Sequence, residues 1–249
     1  MSFSSCSFVP FVVYCSSVPI AENIALVRER IAAAARRAGR QLEEIEPIAV
    51  SKTFPPERIR EAYAAGLRRF GESQVQEFSA KAEVLRDLRD IQWHMIGHLQ
   101  ANKATKAVEL FAHVDSVDSL RLARRLNAAA AQAGKKLSAL IEINIGGEQA
   151  KSGVAPESAE LEEMFQAAPE LNYLQICGLM TVPPFADDPE EARPYFRQLR
   201  ELQKQIAARN LPGVDMSVLS MGMSHDFEIA IEQGSTCVRV GTAIFGERG

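Results

Sequence analysis

The sequence has no excess of positive charge, few aromatic rings and no long apolar run, and each absence removes a class of function. Twenty-eight Lys and Arg stand against 32 Asp and Glu, a net charge of −4. No basic stripe stands out, so nucleic acid is not an expected partner. One Trp and four Tyr are too few to build a base-stacking surface. The apolar run Phe8 to Cys15 falls far short of the roughly 20 residues that span a bilayer. A secretory signal opens with positive charge, yet the first Lys or Arg is Arg28. The chain therefore reads as cytoplasmic with no membrane partner, and residues 1–19 read as a disordered extension outside the fold. Cys6, Cys15, Cys177 and Cys237 form no C-x-x-C and no zinc-ligand spacing with histidine, so they read as free thiols in a reducing compartment. G-x-G-x-x-G, G-x-S-x-G and H-E-x-x-H are also missing, which removes the main support for a dinucleotide fold and for two common hydrolase designs.

What is present is an alternation of short apolar runs with amphipathic stretches. An opening helix carries Ile24, Val27, Ile31, Ala34 and Ala38 at helical spacing and stops at Gly39. Strands are predicted at Pro47–Val50, Arg69–Gly71, Ile91–Ile96, His113–Val117, Leu137–Ile145, Leu174–Met180, Met216–Ser220 and Thr236–Val240. Between them lie helical segments such as Pro56 to Gly66, Leu120 to Ala133 and Phe196 to Ala208. Eight strands, each followed by a helix or the chain end, fit an open doubly wound sheet or a closed barrel. The count and the missing dinucleotide motif favour a single (β/α)8 TIM barrel over residues 20–249, with an extra N-terminal helix.

In such a barrel, functional groups gather where strands end. Lys52 follows the first strand, and partial desolvation there lowers a lysine pKa, freeing the amine to attack an aldehyde. A lysine that snorkels to solvent or pairs with a carboxylate is the alternative. Ser224, Gly241 and Thr242 follow strands seven and eight, where barrels often hold a phosphate with backbone N–H groups. Ser224 also falls where an N-cap belongs before a short helix from Asp226 to Gln233. Asp226 is discordant, since its carboxylate would repel a phosphate if it pointed inward. Arg239 lies two residues before Gly241 and should project into the barrel. Its partner there is either a pyridine nitrogen or an inward carboxylate such as Glu72 or Glu142. His94 and His98 lack a third ligand and read as hydrogen-bonded residues, and Asn144 could reach a ligand from the end of strand five.

Taken in order, these motifs resemble the pyridoxal phosphate homeostasis protein family (YggS/PROSC type), over Ile20 to Arg248. The segments are Ala49-Val50-Ser51-Lys52-Thr53, Phe70-Gly71-Glu72, Trp93 to Lys103, Ser116-Val117-Asp118-Ser119, Gly178-Leu179-Met180, Leu219 to Phe227 and Val238 to Arg248. The resemblance implies a barrel like that of alanine racemase. It implies pyridoxal 5′-phosphate (PLP) held as a Schiff base on Lys52, Arg239 at the pyridine nitrogen, Ser224, Gly241 and Thr242 at the phosphate, and Met221 lining the pocket. It implies a role in PLP (vitamin B6) homeostasis without catalytic turnover, with PLP-dependent apo-enzymes as recipients; a barrel of this size reads as a monomer. Where the family usually reads Gly-Glu-Asn, this chain has Ser73, which puts a ligand contact there in doubt. The alternative is a PLP-dependent amino-acid racemase. That reaction wants a second base opposite the lysine, and none of Tyr14, Tyr63, Tyr173 and Tyr195 follows a predicted strand end.

Overall fold

The computed structural model describes residues 19–148 and 151–247. Residues 1–18, which hold nearly all of the segment expected to be disordered, lie outside the described residues. Eight parallel strands close into a barrel in chain order. They are β1 (Glu46–Val50), β2 (Arg69–Glu72), β3 (Gln92–Met95), β4 (His113–Val117), β5 (Leu137–Glu142), β6 (Leu174–Met180), β7 (Val214–Met223) and β8 (Cys237–Val240). Closure comes from β8 against β1, with Ile48 opposite Arg239 and Ala49 opposite Val240.

Parallel neighbours cannot be joined by a tight turn, so crossover helices connect them. These are α2 (Pro56–Ala64), α3 (Val75–Val84), α4 (Ala104–Leu110), α5 (Leu120–Gln132), α6 (Ala159–Ala167), α7 (Arg193–Ala208) and α8 (Phe227–Glu232), with α1 (Ile20–Arg37) before the barrel and α9 (Thr242–Phe245) after it. Local signals set their starts. Pro56 opens α2, and Ser119 caps α5 by accepting the Leu122 N–H. Helix α7 buries Phe196, Leu199, Leu202 and Ile206 on one face, as their spacing predicts. The extra helix α1 buries Ile20, Ile24, Val27 and Ile31. It is tied to α9 by Asn23, whose amide donates to the Ile244 carbonyl at 3.0 Å, and to α8 by the Arg30–Glu228 ion pair.

Strand alternation sorts side chains between two environments. Outward residues such as Phe70, Val114, Leu137 and Leu219 pack under the helices with Phe78, Phe111, Leu126 and Phe196. Each such burial contributes about 1.5–3 kcal/mol, so this shell between sheet and helices holds the fold. The lumen is different: His94, Asp115, Glu142, Ser220 and Arg239 are all buried polar residues.

Two strands differ from their predicted spans by more than one residue at an end. β5 stops at Glu142, and Ile143 makes only an isolated bridge to Val154. The apolar Ile143 and Ile145 read as strand, but the turn at Gly147 (φ +65°) draws the backbone away. β7 runs longer at both ends, from Val214 to Met223. Asp215 is a poor strand former; it sits in an irregularity between the Val214 and Val218 pairings with β6 and accepts the Ser217 N–H and hydroxyl.

Candidate functional site

Lys52 leaves the C-terminal end of β1, where β1 lies between β2 and β8. It is half-buried, and Ser51 before it is fully buried. Thr53 after it holds a left-handed backbone, φ +70°, uncommon for a β-branched residue. Thr53 N–H donates to Glu77 Oε1 at 2.8 Å. On the other side, Lys81 Nζ donates to the Ser51 carbonyl at 3.2 Å.

The neighbouring turn after β8 is held beside Lys52 by several contacts. A Cβ at Gly241 would meet Val50 Cβ at 3.4 Å, so the two backbones run close together. Phe245 stacks on Phe54 with centroids 4.8 Å apart, and Arg58 donates to the Phe245 carbonyl at 3.1 Å. Ser224 does not cap the helix that follows it, as its position predicted. Asp226 occupies that N-cap place, and Ser224 Oγ instead accepts the N–H groups of Gly241 (3.1 Å) and Ala243 (3.3 Å). Two backbone donors thus converge on one oxygen beside exposed Thr242. Asp226 turns Oδ1 to the Met223 N–H at 2.6 Å, and burial pushes its carboxyl pKa up.

Arg239 projects into the lumen and is 3% exposed. Its Nη1 donates to Ser220 Oγ and its Nη2 to the Thr181 carbonyl, both at 2.7 Å, which fixes the guanidinium plane. Burial draws its pKa down. Neither carboxylate suggested by the sequence pairs with it. Glu72 is not inward: it lies behind the sheet, accepting from Ser51 Oγ at 2.7 Å and pairing with Lys81 of α3. Glu142 accepts the Ser152 hydroxyl at 3.1 Å through Oε1, while Oε2 is buried with no hydrogen-bond partner among the described residues. Its pKa is raised by burial.

Met221, expected to line the pocket, is fully buried and belongs to the same apolar cluster as Leu219 and Ala230. Sequence reading also missed Ser220 and Thr181. The inward phase of Ser220 was available from Arg239-like alternation, whereas Thr181 reaches the arginine through its carbonyl, which carries no side-chain signal. Asn144 braces its own loop by donating to the Glu148 carbonyl at 2.9 Å. His94 bonds Asp115 at 3.0 Å and His98 bonds Asp118 at 2.9 Å, the hydrogen-bonded roles predicted for them. Ser73 packs against Gly97, where a Cβ would come within 2.8 Å of the serine Cα.

A separate cavity of about 440 Å³ opens at the opposite end of the barrel, lined by strand starts including Glu46, Arg69, His113, Ser138 and Cys237. Barrel chemistry collects at the other mouth, so these residues read as structural.

Comparison with known proteins identifies the family. Residues 22–249 match the family model for the alanine racemase N-terminal domain. The pyridoxal phosphate homeostasis protein of Aquifex aeolicus is 46% identical over 227 residues, 91% of this chain and 97% of that one. The chain belongs to this family. The pyridoxal phosphate homeostasis protein of Escherichia coli is 44% identical, over 92% of this chain and 97% of its own. Among solved structures, PipY of Synechococcus elongatus is similar at a TM-score of 0.79 and 38% identity, covering 91% of this chain and all of PipY, and it has been solved with PLP bound. Alanine racemase of Clostridium difficile shares the fold at a TM-score of 0.67 and 16% identity, and the match spans 57% of that chain.

Proposed function

We propose that this homeostasis protein binds PLP covalently through Lys52 at the C-terminal mouth of the barrel and serves as an intracellular PLP carrier, not as a catalyst. The observation that carries the reading is the placement of a half-buried lysine beside a turn whose Gly241 and Ala243 N–H groups converge on one electron-rich oxygen. A phosphate oxygen is drawn to the same kind of place. Bound PLP supplies an aldehyde carbon with which a neutral lysine amine condenses, releasing water.

The chain's own residues divide the remaining work. Ser224, Gly241 and Thr242 hold the anionic end. Arg239, its plane already fixed by Ser220 and Thr181, offers its remaining N–H donors to the pyridine nitrogen. A guanidinium keeps its proton, so that nitrogen stays unprotonated and the ring remains a weak electron sink, which suits storage more than turnover. Of the tyrosines that could serve the racemase alternative as second base, Tyr14 lies outside the described residues. Tyr63 donates to Asp90, Tyr195 lies on α7 and Tyr173 is 41% exposed just before β6, so none of these three stands at the mouth. PLP-dependent apo-enzymes are the recipients we infer, with a monomeric carrier. No helix among the described residues is long and apolar enough to cross a membrane.

Borohydride reduction of the PLP-loaded protein followed by peptide mapping tests the assignment. A pyridoxyl group on Lys52 is expected, with the visible absorbance lost in Lys52→Ala. A label on Lys103 or Lys151 would refute the assignment, and robust racemisation of alanine or serine would overturn the carrier reading.

A further inference from the structure

The peptide groups on both sides of Lys52 are held by one ionic cluster behind the sheet. Lys81 on α3 is 9% exposed and pairs with Glu72 at 3.2 Å and with Glu77 at 2.7 Å. Lys81 also donates to the carbonyl of Ser51, and Glu77 accepts the N–H of Thr53. Ser51 Oγ completes the cluster by donating to Glu72 Oε1. We propose that Lys81 and Glu77, steadied by Glu72, are positioning residues that clamp the backbone before and after Lys52 and so aim its amine across the mouth.

The inference rests on the reading of Lys52 given above. Three features of the cluster support it. Its contacts fall on the two residues flanking the lysine. They hold Thr53 in a left-handed backbone that a β-branched residue does not readily adopt unaided. Lys81 also bridges the carboxylates of Glu72 and Glu77, so a single side chain ties both halves of the clamp together. Small errors in aim matter for covalent capture, because a misplacement near 1 Å can slow a reaction about a hundredfold.

The test uses the full chain and PLP itself. Total bound PLP is measured after denaturation. The rate of covalent capture is followed by the rise in visible absorbance and by borohydride-trapped label on Lys52. In Glu77→Ala and Lys81→Met, capture is expected to slow about tenfold or more while bound but uncaptured PLP persists, and Lys81→Arg should stay within about threefold of wild type. Glu77 is a partly exposed member of the cluster, so its replacement leaves the Lys81–Glu72 pair in place even if Lys81→Met fails to fold. Capture at the wild-type rate in Glu77→Ala would overturn the clamp. So would a parallel fall of total binding and capture in that variant, the mark of a general structural role. Wild-type label on a lysine other than Lys52 would instead overturn the underlying reading of the site.

Discussion

His113 gives a pH dependence whose size can be worked out in advance. Its ring stacks on His94 at 4.1 Å with 7° between planes, inside the barrel. Burial, His94 and Arg69 lower its pKa and Asp115 opposes them, leaving it at about 4 against 6.5 in an open chain. Because the folded value is the lower one, the unfolded chain binds the extra proton between these limits. This contribution to stability is therefore present above pH 6.5 and lost as pH falls toward 4. The linkage relation gives a loss of about 2 kcal/mol by ~pH 5 and about 3 kcal/mol by ~pH 4. Glu72, Glu142 and Asp226 act in the opposite sense, since burial raises their pKa values, so wild type alone would blur the signal. Comparison with His113→Asn removes that background. Urea denaturation of both proteins from ~pH 7 to ~pH 5 should show wild type losing about 2 kcal/mol more than the variant. Parallel stability curves would refute a neutral, partly buried His113.

Other expectations follow from individual contacts. Arg239→Gln should let the pyridine nitrogen protonate and shift the visible absorbance of the PLP-loaded protein; an unchanged spectrum would count against that contact. Ser224→Ala removes the oxygen on which the Gly241 and Ala243 N–H groups converge, and PLP affinity should fall about tenfold by titration if the turn loosens, one hydrogen-bond acceptor being worth about 1 kcal/mol or somewhat more. Gly222→Ala places a Cβ 2.5 Å from the Ala230 Cβ and 2.9 Å from the Phe227 Cα at φ +94°, so it should destabilise the chain by about 1–3 kcal/mol in denaturant melts and weaken PLP binding with it.

The barrel was legible because its signals are local. Alternation of apolar residues along each strand, the helical stripe of α7 and the glycine and proline punctuation all act within a few residues of one another. Eight strands separated by helices then leave few ways to bury every apolar face. Lys52, Arg239, Ser224 and the Gly241 turn could be nominated for the same reason, as groups at or near strand ends. Their partners could not. Ser224 meets Gly241 across 17 positions, Lys81 meets Ser51 across 30, and Arg239 meets Thr181 across 58. Ring closure and strand register bring those pairs together, and a one-residue change of phase sends a side chain to the other face of the sheet. For that reason Glu72, named from the sequence as an inward partner for Arg239, stands behind the sheet with Lys81 and Ser51 instead. Local chemistry nominated the amine and the turn; only the closed ring decided what stands beside each of them.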